Sequence, residues 1–162
     1  MTVIVDSERA RKAPGRAERI ERMEARAASL AIELHAAAKS GETGRIALLI
    51  DHGAKVEARM PNGWTPLHAA ARRGRSAAVE ALLEAGAEPN VRDKDGLTPL
   101  HLATITGDPE TTEALLRAGA DTAARDTEGF TPFDVLPGSV SDRLRQALNP
   151  AGTSADPKGD NP

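Results

Sequence analysis

An eight-residue phrase recurs in this chain at a fixed spacing, and no other feature restricts the possible folds as strongly. GWTPLHAA begins at Gly63, GLTPLHLA at Gly96 and GFTPFDVL at Gly129, each 33 residues after the one before. Gly53-Ala54, Gly86-Ala87 and Gly119-Ala120 keep the same period, each following an apolar run such as Leu82-Leu83 or Leu115-Leu116. Two markers in phase over that distance predict stacked units rather than one closed core, because each unit must hide its apolar side against a neighbour.

Within each unit the residues read as two short helices. Thr98 suits an N-cap and Pro99 the first helical position, where a missing N–H leaves no bond unmade. Helices are therefore expected from Pro66, Pro99 and Pro132, with Gly74 and Gly107 at the spacing of left-handed C-caps. Asp108-Pro109-Glu110 opens the next helix with an N-cap, a proline and an acid at the positive end of the dipole. Polar loops such as Val91-Arg92-Asp93-Lys94-Asp95-Gly96 then read as hairpin tips, with Asp starting the turn and Gly supplying positive φ. Asp93-Lys94-Asp95-Gly96 also begins like a calcium loop, but the later ligand positions fall inside the following helix, which excludes the cage.

This unit resembles the ankyrin repeat, whose T-P-L-H-x-A phrase and length it matches. The resemblance covers Leu30 to Leu148 and implies an all-α solenoid of four repeats, two interior and two capping. Residues 1–15 are read as a disordered arm, 16–29 as a helical extension leading into the first repeat, and 149–162 as a disordered tail. The repeats fall at about 30–62, 63–95, 96–128 and 129–148. The first replaces Thr-Pro with Ile32-Glu33, which suits a cap continuous with the upstream helix. Its second helix, about Thr43 to Asp51, turns Ile46, Leu49 and Ile50 inward, and the second repeat buries Leu67, Ala70, Val79, Leu82 and Leu83. In the third, Thr111 and Thr112 stand where the second has Ala78 and Val79, so a hydroxyl must be satisfied in the core and that helix is expected to be the softest. In the fourth, Pro137 should stop the first helix early and Val140 to Leu148 should form a closing helix.

Ile20, Met23, Ala27, Leu30, Leu34 and Ala37 fall at alternating steps of three and four, a helical stripe. It fits a helix that covers the first repeat, and also a short coiled-coil seam in which Arg19 faces Glu24 of a second copy. Two alanines in so short a seam bury little area, which favours the covering role and a monomer over a homodimer.

Composition narrows the function. A net charge of −3 and an aromatic content of 2% argue against nucleic acid as partner, since neither a basic field nor stacking platforms are available. Without cysteine the chain has no thiol nucleophile and no disulfide, and it suits a reducing compartment. The apolar start at Val3-Ile4-Val5 is too short for a signal-peptide core or a membrane span, so a cytoplasmic location is expected. Abundant Ala, and Arg in excess of Lys, point to a GC-rich bacterial source. No phosphate loop, nucleophile elbow or H-E-x-x-H phrase occurs, so no enzyme is expected.

His35, His68 and His101 recur at the repeat spacing. Packed helices stand about 8–10 Å apart, whereas a zinc ion touches each nitrogen at about 2 Å, so one ion cannot join all three. The resemblance implies instead that each ties its repeat to the next through the backbone, and neither metal nor cofactor is expected. It also implies a non-catalytic binder of another protein through one concave face. Carried over position by position, that face comprises Arg59, Asn62, Trp64, Arg72 and Arg73; then Arg92, Lys94, Asp95, Leu97, Ile105 and Thr106; then Arg125, Thr127, Glu128 and Phe130. Trp64, Leu97 and Phe130 would form an apolar row beside a column of Arg59, Arg92 and Arg125. The competing reading is solvated ion pairs for the arginines and packing between hairpins for Trp64. Small bacterial members of the family act as immunity proteins, accessory partners of enzymes or exported effectors. A short chain without an effector domain favours the immunity or inhibitor role.

Overall fold

The computed structural model describes residues 15–138 and 142–148. The disordered arm expected over 1–14, the tail from 149 and the Val140-Ser141 start of the closing helix lie outside the described residues. Helix α1 spans Arg16–Ser40, α2 Thr43–Asp51, α3 Pro66–Arg72, α4 Ser76–Glu84, α5 Pro99–Thr106, α6 Pro109–Arg117 and α7 Asp142–Leu148. Among the described residues there is no strand. First helices stack on first helices, α1 on α3 and α3 on α5, and second helices on second helices, α2 on α4 and α4 on α6; α7 closes against α6.

The core lies between the two helix layers and is built from repeated positions. Leu34, Leu67 and Leu100 occupy one rung, Ile46, Val79 and Thr112 another, and Leu49, Leu82 and Leu115 a third; all are buried. Ile50 and Leu83 are only half-buried at the edge of this cluster.

The T-P-L-H phrase closes a reciprocal cap. Thr98 Oγ1 accepts from the His101 N–H at 3.4 Å, while His101 Nδ1 accepts from the Thr98 N–H at 3.2 Å. Histidine thus plays the part that Glu plays in the usual capping box. Since Nδ1 is the acceptor, the ring proton sits on Nε2, which donates to the Phe130 carbonyl of the next repeat at 3.0 Å. His68 repeats the arrangement with Thr65 and with the Leu97 carbonyl at 3.1 Å. The inter-repeat role implied by the resemblance is therefore present, and one imidazole caps a helix through Nδ1 and joins two units through Nε2.

The fourth repeat departs from expectation. No helix follows Pro132; residues 132–135 form only turns. Asp134 stands at the histidine position and accepts from the Thr131 N–H and hydroxyl at 2.8 and 2.7 Å, which holds its carboxyl below the ordinary range. The local cap survives, but Pro137 disfavours helical backbone at Leu136 and offers no N–H to continue the turn. A carboxylate has no N–H to send onward, so Asp134 caps its own turn without the inter-repeat bond that His68 and His101 make.

Helix α1 runs unbroken from the extension into the first repeat, and here a second correction arises. Residues 16–29 are exposed throughout, with Met23 72% exposed. Only from Leu30 onward does α1 cover the repeat, because the helix is longer than the layer beneath it. In α6 the two threonines part company. Thr112 Oγ1 donates to the Asp108 carbonyl at 2.9 Å, whereas the buried Thr111 hydroxyl has no partner among the described residues.

Candidate protein-binding face

The hairpins are held to one another by their own backbones. The Lys94 N–H donates to the Asn62 carbonyl at 3.3 Å, and the Thr127 N–H to the Asp95 carbonyl at 2.9 Å. Such close stacking leaves no room for a side chain at the turn glycine: a Cβ on Gly96 would lie 3.0 Å from the Thr127 nitrogen, and φ there is +75°. Each aspartate builds its own tip. Asp93 Oδ1 accepts from the N–H groups of Asp95 and Leu97, and Asp126 Oδ1 from those of Glu128 and Phe130, all at 2.9 Å.

Within this frame the arginine column is employed internally. Arg59 Nη1 donates to the Gly63 and Arg92 carbonyls at 3.0 and 2.9 Å. Arg92 reaches the Arg125 carbonyl one repeat on, and Arg125 the Gly129 carbonyl at 2.6 Å. Among the described residues these guanidiniums form no ion pairs; Arg59 and Arg92 staple successive hairpins through carbonyl oxygens, and Arg125 closes its own. Asn62 and Thr127 also serve the frame, the first accepting from the Trp64 N–H and the second donating to the Asp95 carbonyl. Thr106 donates to the Arg72 carbonyl at 3.1 Å, tying α5 to α3.

The apolar row is graded along the stack. Trp64 packs half-buried against the core, and its indole N–H donates to Asp93 Oδ2 of the next hairpin at 3.0 Å. Leu97 and Ile105 are also half-buried, whereas Phe130, with no further hairpin beside it among the described residues, is 46% exposed. Arg72, Arg73, Lys94, Asp95 and Glu128 are exposed on this side. Of the fifteen predicted residues, Arg59, Asn62, Arg92, Thr106, Arg125 and Thr127 are thus engaged in bonds of the frame, whereas Arg72, Arg73, Lys94, Asp95 and Glu128 are exposed without such a side-chain bond among the described residues.

One junction differs from the others. His35 Nε2 bonds the Ala58 carbonyl at 2.7 Å, six residues short of the position that His68 and His101 reach in their repeats. Between α1 and the first hairpin a cleft of about 750 Å³ remains, lined by Ile32, Lys39, Met60, Trp64, Arg72 and Arg73 among others. Ile32, Lys39 and Met60 were missed in the sequence. The available signal was Ile32, a large apolar residue outside the helical stripe at the position where the other repeats place threonine.

Burial pushes the imidazoles of His35, His68 and His101 below the ordinary histidine value of 6.5, against the upward pull of the carbonyl each one binds. All three are therefore neutral hydrogen-bonding elements near pH 7. Among the described residues, no three of His, Asp or Glu stand close enough to hold one ion. No helix among them is long and apolar enough to cross a membrane.

Comparison with known families agrees with this geometry. Residues 32–93 match the family model described as ankyrin repeats (3 copies), and residues 77–116 the one described as ankyrin repeats (many copies). The chain is an ankyrin-repeat protein. Together the matches cover residues 32–116, the first two repeats and most of the third. No curated protein matches the chain. Ankyrin repeats generally mediate protein–protein interaction and are typically non-catalytic, so the exposed part of the hairpin face is the surface to explain.

Proposed function

We propose that the face made by the hairpins and first helices binds a partner protein, and that this cytoplasmic, non-catalytic ankyrin protein works as an immunity or inhibitor protein. The observation that carries the reading is the apolar surface left open on a face otherwise sealed by hydrogen bonds. Ile32 is 58% exposed at one end and Phe130 46% at the other, with half-buried Trp64 between them. Apolar patches rimmed by polar groups mark interaction sites, and Trp and Arg often dominate their energy. An accessory role beside an enzyme, or export as an effector, would use the same face. Capture from native lysate tests the reading if variants of opposite faces are compared. Arg72→Glu with Arg73→Glu should lose the partner, while Arg117→Glu on α6 should retain it; the reverse pattern would move the site to the other face.

A second reading rests on α1. Ile20 and Met23 lie exposed on a length of helix with no neighbour among the described residues, which suits pairing with a second copy. Light scattering decides it: a dimeric mass that becomes monomeric in Ile20→Glu with Met23→Glu supports pairing, and a monomeric mass of the unaltered chain removes it.

A further inference from the structure

Resting on the hairpin-face reading, we propose that the cleft between α1, α3 and the first hairpin takes an acidic segment of the partner protein that carries one large apolar side chain. Three observations converge on that chemistry. The wall is apolar, formed by Ile32, Met60, Trp64 and Ala69, and its volume of about 750 Å³ admits a side chain together with flanking backbone. The rim is cationic: Lys39, Arg72 and Arg73 line the cleft, and no Asp or Glu does. Those three cations also lack carboxylate partners among the described residues, whereas Arg45, Arg117 and Arg143 are paired at 3.4, 3.0 and 2.7 Å.

This local excess of positive charge runs against the chain as a whole, whose net charge is −3. A polyanion such as nucleic acid would meet overall repulsion beyond these three groups, and it would gain nothing from the aliphatic wall formed by Ile32 and Met60. A short segment with carboxylates on either side of an apolar anchor satisfies both wall and rim. It also finds a preformed site, because the cleft occurs at the one junction where histidine does not reach the hairpin carbonyl. The backbone at this end of α3 is fixed by the Arg72 carbonyl, which accepts from Thr106.

The sole tryptophan lies in this cleft, so its emission reports the site directly. A random dodecapeptide display library is panned on the full chain at low salt, and the enriched peptides are synthesised and titrated while Trp64 emission is followed. Expected are peptides of net negative charge with at least one large apolar residue, an altered Trp64 emission, and affinity that falls as salt rises. Arg72→Glu with Arg73→Glu, both exposed and checked for unchanged circular dichroism, should weaken these peptides at least about tenfold. Ile32→Ser should also weaken them.

Enrichment of neutral or basic peptides that still alter Trp64 emission would overturn the acidic partner while leaving the face as a binding surface. So would equal binding by the double charge variant, or a dT20 oligonucleotide that perturbs Trp64 as strongly as the peptides at the same salt. Peptides that bind without affecting Trp64 and are lost in Arg117→Glu, or no enrichment at all, would overturn both the proposal and the reading beneath it.

Discussion

Cations carried on the second helices and on α7 are matched with anions: Arg45 with Glu33 of α1 within the first repeat, Arg117 with Glu80 one repeat back, and Arg143 with Glu113 of α6. On the hairpin side the same residue type is divided between two tasks. Arg59, Arg92 and Arg125 bind carbonyl oxygens, while Arg72 and Arg73 border an open cleft without a carboxylate partner among the described residues. Position in the repeat, not residue type, separates support from availability. A guanidinium at a hairpin base has carbonyls of the next unit within reach, whereas one at the end of a first helix faces outward. Arginine content alone therefore says little about where an ankyrin protein binds.

The contrast can be broken from the structural side first. Leu82 is fully buried in α4, at the centre of the stack. Leu82→Ala should cost about 2–5 kcal/mol in urea unfolding, and a loss under about 0.5 kcal/mol would show that the core lies elsewhere. Acidification comes next, because it acts on three buried histidines at once. Their folded values lie below 6.5, so the unfolded chain binds more protons as pH falls past that point. The stability they contribute is complete above pH 6.5 and is lost as pH drops through the depressed folded values. Unfolding midpoints measured from pH 7.5 down to 5 should decline; a flat profile would mean that the neutral Nε2–H ties are not holding the repeats.

Gly96→Ala probes the hairpin stack itself. A left-handed φ and a contact at 3.0 Å with the next hairpin together predict a loss of about 1–3 kcal/mol. Thr111→Val should act in the opposite sense, raising stability by about 1 kcal/mol, since it replaces a buried hydroxyl that has no partner among the described residues with a methyl of similar size. Destabilisation there would show that water or a local shift satisfies the hydroxyl. The smallest effect belongs to the hairpin side: Arg72→Glu with Arg73→Glu should change unfolding free energy by no more than about 0.5 kcal/mol. A larger loss would make those arginines structural and erase the contrast.

Much of this was legible in the sequence, and the reasons are local. Thr-Pro marks a helix start by itself: α2 has the bounds read for it, α3 and α5 start at Pro66 and Pro99 as read, and α6 opens at Pro109. The histidine column followed from its spacing and the family resemblance, but its capping role did not, because a side chain that accepts from Thr and donates to another repeat is visible only in three dimensions. Pro137 signalled an early stop, yet not that every turn after Pro132 would fail to become helix. The face was harder to read. Resemblance proposed its residues without separating Arg59, committed to a carbonyl 33 residues onward, from exposed Arg73. It also passed over Ile32 and Lys39, since α1 was read as a cover and not as one wall of a cleft.

Hydroxyl-radical footprinting of the chain, alone and with its captured partner, tests the division of faces most directly, because both sides carry reactive side chains. Protection should fall on Ile32, Met60, Trp64 and Phe130, while Leu48, 60% exposed on α2, stays as reactive as in the free chain. Protection of Leu48 with unchanged oxidation of Met60 and Trp64 would contradict the assignment of the hairpin face as the binding surface.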